Sequence, residues 1–423
     1  MKLLVLTTTL FGEPSGGGEL CTSRLLSGLR EAGHRIGLVG HGDAAAAARW
    51  ADEVHSLGPT EPPFSAQPLA QRLWAVAGAL ASGSAITVQR QRQYAARRLV
   101  RAQLAAAGTG YDACVVDHLQ AWPWLGHRPV LPAMLLNHNV ESDNYRRLSR
   151  AANRGFQGNP RTRLVERTLM RREADRLRRI ERQALHEAAV VACLSEGDAQ
   201  RMAALAQEGI PAQRAHLLVL PGYPAARPAA TAHMLGGQPA AGALRRVGLI
   251  GNWTWAPNRA GLQWLLAAVW PLLRHQGCQL VLAGGGLEGL DLPEGVLLLG
   301  RVPDVETFYS QVDLVAIPSL HGSGVQEKAI EAIGRGLPVV ATAHALRGLA
   351  PGLPAQVHRA DDPQAFARLC AEAPLPDAST EAAAHWATQR RVAYAAALAQ
   401  ALSLLHRPAS MAPRRNRLAM ERI

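Results

Sequence analysis

Residues 322–342 combine a glycine-rich loop with a following helix that carries two opposite charges. The loop is Gly322-Ser323-Gly324, whose glycines let backbone N–H groups approach a ligand closely. The residue pattern after it predicts a helix from about Val325 to Arg335, which Gly336 ends. The N-terminus of such a helix has unpaired N–H groups and a partial positive charge, so this segment suits a phosphate.

Lys328 and Glu331 are three residues apart and therefore share one face of that helix. The lysine would neutralise a diphosphate, and the carboxylate would accept two hydrogen bonds from the diol of a ribose. The alternative interpretation is an exposed Glu–Lys pair on an ordinary helix.

Several short apolar runs end in polar residues. Asp117-His118 follows one run, Asn137-His138-Asn139 follows the next, and Ser195-Glu196 follows a third. Open parallel sheets bind ligands outside the carboxyl ends of their strands, so these residues would line a cleft. For either histidine, the alternative is a buried side chain with a satisfied hydrogen bond.

The order of elements around these residues predicts two domains of one class. Apolar strand patterns alternate with helical patterns over residues 2–220, and the same alternation restarts at Val247. In the second half the pattern predicts a loop from Gly251 to Asn258, a helix from Ala260 to Arg274 and a strand from Leu314 to Ile317. We therefore expect an α/β protein with two tandem Rossmann-like, doubly wound parallel sheets that face a cleft.

The 423 residues suit two domains of about 200 each. We expect an N-terminal Rossmann-like domain at residues 1–222, a linker at 223–243 and a C-terminal Rossmann-like domain at 244–385. A helix at about 386–405 would pack back onto the first domain, and residues 407–423 would form a loose tail.

The formal net charge is +12, and 43 of the 45 basic residues are arginine, since Lys2 and Lys328 are the only lysines. A mutational bias in the genome explains the arginines most simply, but a basic surface still attracts polyanions.

The five cysteines are scattered and never at metal-ligand spacing, which is typical of small buried side chains in a reducing compartment. We expect a cytoplasmic protein, because apolar runs are too short to span a membrane and the first run reads as a buried strand.

Arginine is concentrated in two stretches. Thirteen arginines lie between Arg146 and Arg182, and Arg90 to Arg101 is also basic. One interpretation is a face that contacts anionic lipid at the inner side of the membrane. The alternative is a solvated helix with internal Arg–Glu pairs. Nucleic-acid binding is disfavoured, because no aromatic residues interleave with the charge.

The segment at 322–342 resembles the signature of the retaining glycosyltransferases of family four, which share the GT-B fold. The residues that match it are Gly324, Lys328, Glu331, Ala332, Gly336, Pro338 and Val339. Further stretches that resemble family motifs, in the expected order, are Gly16-Gly17-Gly18-Glu19, His138 to Glu141, Leu194 to Asp198, Gly251 to Asn258 and Gly300 to Val302.

The resemblance implies roles for the site residues. Glu331 would hold the donor ribose, Lys328 the diphosphate, and the loop with Val325 the transferred sugar. His118, with His138 as second choice, would face that sugar from the first domain, where Gly16 to Glu19 form the glycine loop on the acceptor side.

The sequence departs from the family pattern at two places. The family often has a second glutamate eight positions before Glu331, where this chain has Ser323. Asn252 stands where many members carry a charge, so compensation of the diphosphate would rest on Lys328, Arg301 or Arg259.

The resemblance implies transfer of a sugar from a nucleotide-sugar donor to a glycan or lipid-linked acceptor with retention of configuration, as in cell-surface polysaccharide synthesis. It implies no cofactor and no metal, and the sequence shows no metal-ligand cluster.

The main alternative is a degenerate GT-B protein that binds a nucleotide or a partner without transfer. We found no set of acid–base carboxylates such as a non-hydrolysing epimerase would need. The sequence also has no glycine motif of the kind that a nicotinamide dehydrogenase carries after its first strand.

Overall fold

The computed structural model describes residues 1–60, 67–90, 93–105, 110–126, 129–151, 160–207, 215–225, 244–322, 324–349, 352–374 and 379–406. These residues form two parallel sheets, each covered by helices on both faces. The predicted pair of tandem parallel-sheet domains is therefore confirmed.

The first sheet has seven strands in the order β3-β2-β1-β4-β5-β6-β7. Its strands are β1 Lys2–Thr9, β2 Arg35–His41, β3 Glu53–Ser56, β4 Ala113–Asp117, β5 Ala133–Asn137, β6 Val190–Cys193 and β7 His216–Val219. All pairs are parallel, and the register places Val5 beside both Leu38 and Val115. The central strands are buried along their whole length, because helices cover both faces of a parallel sheet.

The helices of the first domain occupy the two faces of this sheet. They are α1 Gly17–Glu31, α2 Ala44–Ala47, α3 Leu69–Ser82, α4 Ile86–Arg90, α5 Gln93–Ala105, a 3₁₀ segment Leu119–Leu125, α6 Glu141–Ala151, α7 Pro160–Glu187 and α8 Glu196–Gln207. Two buried carboxylates of α7 cap neighbouring helices: Glu173 accepts from the N–H groups of Ile86 and Thr87, and Glu181 from that of Ser142. Such caps satisfy N–H groups that the helices leave unpaired.

The second sheet has six parallel strands in the order β10-β9-β8-β11-β12-β13. They are β8 Arg245–Ile250, β9 Cys278–Ala283, β10 Val296–Gly300, β11 Leu314–Ile317, β12 Val339–Ala341 and β13 Val357–Arg359. Its helices are α9 Ala256–Trp264, a π-helical turn Leu265–Val269, α10 Trp270–Leu273, α11 Val305–Tyr309, α12 Glu327–Gly334 and α13 Pro363–Glu372.

The helix after β8 begins earlier than the sequence indicated. The loop was expected to run to Asn258 and the helix to span Ala260 to Arg274, but α9 starts at Ala256. Pro257 lies in its first turn, where proline loses no hydrogen bond and already has a helical φ.

The last helix, α14 Ser379–His406, connects the two domains. Trp386 near its start belongs to the core of the second domain, whereas Tyr394, Leu398 and Leu402 belong to the core of the first. The chain thus crosses between the domains at its C-terminal end as well as near Gly222, whose carbonyl accepts a 2.5 Å hydrogen bond from Arg390 Nε.

Most of the expected linker, residues 226–243, and the whole expected tail, residues 407–423, lie outside the described residues. Ser323 also lies outside them. Among the described helices, none combines the length and the apolarity that crossing a bilayer requires.

Candidate functional site

The N-terminal end of α12 lies at the interface of the two domains. Gly17 of α1 is so close to it that a Cβ on this glycine would lie 3.2 Å from Glu327 Cγ. Cys21, one turn further along α1, places its Sγ 3.1 Å from Glu327 Oε1. The helix that carries the candidate cation and carboxylate therefore faces the other domain and not bulk water.

Lys328 extends from α12 into a pocket at the carboxyl end of β8. Its Nζ donates a 3.1 Å hydrogen bond to Asn258 Oδ1 and lies 5.9 Å from the centre of the Trp253 ring. In the described part of the chain no carboxylate forms an ion pair with it, and burial lowers the pKa of Lys328 to about 8. A partly buried cation without a carboxylate partner in a pocket suits an anionic ligand, which would supply the missing charge.

The pocket around Lys328 belongs wholly to the second domain. Its walls come from the ends of two neighbouring strands and from the start of α9. The lining residues are Leu249, Ile250, Trp253, Pro257, Asn258, Ala316, Ile317, Pro318, Ser319 and Lys328.

Glu331 is almost fully buried, and both of its carboxylate oxygens bond to protein groups. Oε1 accepts a 2.8 Å hydrogen bond from Arg24 Nη2 and a 3.0 Å bond from the N–H of Ala225, and Oε2 accepts a bond from Arg335. Arg24 also pairs with Glu327. In this arrangement Glu331 ties α12 to the first domain.

The Gly322–Gly324 loop packs directly against the first domain. The N–H of Gly324 donates a 3.0 Å hydrogen bond to Asp198 Oδ2, and the carbonyl of Gly322 accepts a 2.6 Å bond from Arg147 Nη1. Gly324 has a φ of +72°, and a Cβ there would lie 2.6 Å from Asn139 Oδ1. Only glycine meets both requirements, so this position is explained by the close approach of the domains. Val325, which follows the loop, packs partly buried between the two cores.

His118 and His138 lie together at the ends of β4 and β5, with their ring centres 3.8 Å apart. His138 Nε2 lies 2.6 Å from Asp117 Oδ1, while Asp117 Oδ2 accepts hydrogen bonds from Thr7 at 2.9 Å and Thr22 at 2.6 Å. His138 is the more deeply buried ring, whereas His118 retains 22% of its side-chain exposure. His118 is therefore the imidazole that a ligand in the cleft can reach.

The backbone and the pKa of His118 are both unusual. It is the one non-glycine residue with positive φ, at +79°, in the described part of the chain. Burial, together with the adjacent charge of His138, lowers the pKa of His118 to about 4, so the ring is neutral at pH 7. Burial opposes ionisation of Asp117, but the two histidines and the hydrogen bonds hold the pKa of this carboxyl well below its usual range.

Asp117, His118 and His138 also form a group whose ligand atoms lie within 4.8 Å of one another. The strand-end positions predicted that these residues line one cleft, but their spacing did not mark them as a metal-ligand group, because His138 is separated from the other two along the chain. The stacked rings and the short Asp117–His138 hydrogen bond are typical of a hydrogen-bonded network. Two of the atoms that could bind a metal are hydrogen-bonded to each other instead. A metal would have to replace that bond.

The glycine loop of the first domain opens onto the same histidines. Gly16 precedes α1, and a Cβ on Gly18 would lie 3.6 Å from His118 Cε1. Glu19 closes this end of the helix by accepting hydrogen bonds from the N–H and the hydroxyl of Ser15. The N-termini of α1 and α12 thus both face the boundary between the domains.

The remaining candidate residues lie at the rim of the second domain. The Asn252 side chain accepts hydrogen bonds from the N–H and hydroxyl of Thr254, so it shapes its own loop. Arg259 donates a 3.0 Å bond to the carbonyl of Gly286. Arg301 is exposed, and a Cβ on Gly285 would lie 2.6 Å from its Nε.

Comparisons with known proteins agree with this arrangement. Residues 245–373 match the family model for glycosyl transferases group 1. No curated protein sequence matches the chain. Solved structures do match it over nearly the full length of both chains.

One of these is Alr3699/HepE from Anabaena in complex with UDP, with 17% identity, a TM-score of 0.57 and coverage of 95% of this chain and 100% of that one. WaaG, a glycosyltransferase involved in lipopolysaccharide biosynthesis, has 16% identity, a TM-score of 0.56 and coverage of 95% and 99%. The chain has the architecture of a GT-B glycosyltransferase. An E. coli structure described as trehalose-6-phosphate bound with UDP-2-fluoro glucose has 11% identity, a TM-score of 0.60 and coverage of 96% and 100%.

Several residues of this candidate site were not predicted from the sequence. Arg24 and Asp117 hold the candidate residues in place, and Arg147 contacts the glycine loop. Asp117 precedes His118 at a strand end, which was the available signal. Arg24 and Arg147 are arginines within helices of an arginine-rich chain, so nothing in the sequence distinguishes them from surface charges.

Proposed function

We propose that the protein transfers a sugar from a nucleotide-sugar donor to a glycan or lipid-linked acceptor, with retention of configuration. The observation that carries this proposal is the partly buried Lys328, which has no counter-ion among the described residues and lies in a pocket beside the start of α12. A diphosphate would supply the missing negative charge. The match of residues 245–373 to glycosyl transferases group 1 supports the same assignment.

The donor nucleotide would occupy the second domain. Structures with this fold were solved with UDP and with UDP-glucose, which favours a uridine nucleotide here. Lys328 and the N–H groups at the start of α12 would stabilise the growing charge of the departing diphosphate. Arg259 and Arg301 at the rim would assist, and Asn252 would contribute through the loop that it shapes.

The Glu331 carboxylate would accept hydrogen bonds from the ribose hydroxyls of the donor, as the family resemblance implies. Two of its present hydrogen bonds, from Arg24 and from Ala225, come from outside the second domain. Donor binding at Glu331 would therefore exchange these bonds for bonds to ribose, and it would loosen the contact between the domains.

The transferred sugar would lie between the loop at Gly322 to Gly324, with Val325, and His118. The bond from the anomeric carbon to the diphosphate breaks, and the pair of electrons leaves with the diphosphate. The acceptor oxygen bonds to that carbon on the same face, and its proton passes to the leaving phosphate oxygen. Neutral His118 would position the sugar by hydrogen bonding, with His138 and Asp117 holding it in place.

We propose that this reaction requires no metal and no other cofactor. Lys328 and the helix N-terminus supply positive charge where other transferases use a cation. Activity that is unchanged by EDTA after extensive dialysis would agree with this proposal, whereas its loss and recovery with a divalent ion would contradict it.

The protein would act in the cytoplasm at the inner face of the membrane, in cell-surface polysaccharide synthesis. A described surface supports contact with anionic lipid: α3 exposes Leu69, Leu73 and Trp74, of which Trp74 is 78% exposed. Arg172 of the arginine-rich helix α7 contacts α3, since it donates to the carbonyl of Ala79 at 3.3 Å. Exposed apolar side chains next to arginines suit the boundary between headgroups and acyl chains.

A catalytically degenerate protein that only binds nucleotide remains the second candidate. Glu331 supports it, because its carboxylate is bonded to three protein groups in the described structure. The decisive experiment is a thermal-shift screen of UDP-, GDP- and ADP-linked sugars, followed by detection of released nucleoside diphosphate with a glycan acceptor. Stabilisation together with release supports a transferase, and stabilisation without release supports the degenerate protein. If Lys328→Ala and Glu331→Ala both keep full affinity and activity, the site is wrong.

A further inference from the structure

A second pocket lies between the two domains, beside the Gly322–Gly324 loop. The first domain contributes one wall through α6. The second domain contributes the other wall through the start of α9 and through His321 and Gly322, which follow β11. The lining residues are Asn144, Arg147, Leu148, Trp255, Pro257, His321 and Gly322. The Lys328 pocket, by contrast, is built by the second domain alone.

Two arginines from different domains converge on one residue of this pocket. Arg147 Nη1 donates a 2.6 Å hydrogen bond to the carbonyl of Gly322, and a Cβ on Gly322 would lie 3.6 Å from Arg347 Nη2. Arg347 itself donates to the carbonyl of His344. Like charges from two domains repel each other, and an anion bound between them would relieve this repulsion.

Two histidines of the same cluster have buried ring nitrogens that face no protein partner among the described residues. In the described part of the chain, His321 Nδ1 and His344 Nε2 are buried ring nitrogens that lack a hydrogen-bond partner. Burial, and after it the charges of Arg347, Arg147, His321 and Arg201, lowers the pKa of His344 to about 4. Buried ring nitrogens of this kind are costly unless a ligand or water bonds to them.

The carboxylates near the cluster are already engaged. Asp198 pairs with Arg201 at 2.5 Å and also accepts from the N–H of Gly324. Asp143 lies 3.7 Å from Arg201 Nε. Among the described residues, Arg147 forms no ion pair with a carboxylate.

Trp255 gives the pocket an aromatic wall. Its side chain is 46% exposed although it lies at the domain boundary. An exposed aromatic face beside hydrogen-bond donors is typical of sites that bind a sugar ring, because one face of a pyranose is apolar.

We propose that this pocket binds the acceptor and that the acceptor is an anionic saccharide, with a phosphate or carboxylate group held between Arg147 and Arg347 and a ring against Trp255. The inference rests on the proposed transferase function and adds the chemical class of the acceptor. Arginine suits this task, because its planar guanidinium binds either anion through two parallel hydrogen bonds. The pocket includes residues of both domains, as expected where an acceptor on one domain meets a donor on the other.

The test is calorimetric titration of the whole protein, saturated with UDP, with glucose 6-phosphate, galacturonate and glucose. Glucose 6-phosphate or galacturonate should bind at least tenfold more tightly than neutral glucose, and added salt should weaken the binding of the charged sugars. Arg147→Gln should weaken charged-sugar binding by about tenfold or more, as for loss of a charge-assisted hydrogen bond. Arg146→Gln, on the same helix and next to Asp175, is the matched control and should change nothing.

Equal affinity for glucose and for both charged sugars in the unaltered protein would overturn the proposal, and this comparison needs no variant. UDP-glucuronate and UDP-glucose form the second arm. If Arg147→Gln weakens UDP-glucuronate alone, the anion belongs to the donor sugar and the acceptor assignment is wrong. Failure of the proposed function would be seen separately, as an absence of UDP binding in the saturation step.

Discussion

Arg24 and Glu331 form an ion pair across the domain interface, with Nη2 and Oε1 2.8 Å apart and both side chains almost inaccessible to solvent. Arg24 pairs with Glu327 as well, so one guanidinium serves two carboxylates of α12. Burying an ion pair costs the desolvation of both charges, and removing one partner leaves the other charge buried without compensation. The orientation of the two domains is therefore coupled to the residue proposed to hold the donor ribose.

Arg24→Ala should destabilise the protein by about 3–5 kcal/mol, because two buried carboxylates lose their shared cation. Urea unfolding measures this loss. Arg391→Ala is the matched control, since Arg391 pairs with Glu31 of the same helix α1 at 3.0 Å but is exposed. That pair should contribute no more than about 1 kcal/mol. Equal losses for the two variants would contradict the role given to Arg24.

The affinity for UDP should fall as the pH rises above 8. Burial lowers the pKa of Lys328 from 10.5 to about 8, so its charge is present below that pH and is lost as the pH increases. Bound diphosphate favours the charged form, so proton uptake accompanies binding in alkaline solution. Calorimetry between pH 7 and 10 should show a progressive rise in Kd. Lys328→Arg keeps a permanent charge and should give a nearly flat profile; a flat profile in the unaltered protein would show that Lys328 does not meet the phosphates.

His118→Gly should raise stability and lower the rate of transfer. The φ of +79° is strained for histidine but natural for glycine, and relief of such strain is worth about 1 kcal/mol or more. Transfer should slow because the imidazole that faces the cleft is lost, while the Kd for UDP stays unchanged because the Lys328 pocket lies in the other domain. Thermal melting, steady-state kinetics and UDP titration check the three parts. Unchanged kcat in His118→Gly would remove His118 from the reaction.

Replacement of Trp74 by serine should weaken binding to vesicles that contain anionic lipid. Trp74 is the most exposed large apolar side chain on α3, and the neighbouring arginines supply attraction that salt would screen. Flotation with anionic and with neutral vesicles measures the effect. Val392→Ser removes an exposed apolar side chain from α14 and serves as control. Absence of salt-sensitive binding by the unaltered protein would remove the membrane interpretation.

The central strands could be predicted because burial on both faces leaves a continuous apolar run. Leu314–Ile317 is buried at all four positions and was predicted with the same bounds. The edge strands Glu53–Ser56 and Val357–Arg359 were missed. Each pairs on one side only and is partly exposed, so its residues alternate or are polar and give no apolar run.

The class of fold could be predicted from the sequence, because the period of the hydrophobic residues and the positions of the glycines are local properties of the chain. The helix and loop that carry Lys328 and Glu331 could be predicted too, since spacing along a helix decides which residues share a face. The contacts of these residues could not be predicted, and they are known from the structure. Arg24 lies 307 positions from Glu331 in the chain, and Arg147 lies 175 positions from Gly322. Neither pair can be recognised from a local pattern. Contacts of this kind depend on how two separately folded sheets meet, and no local rule of residue type or spacing encodes that approach.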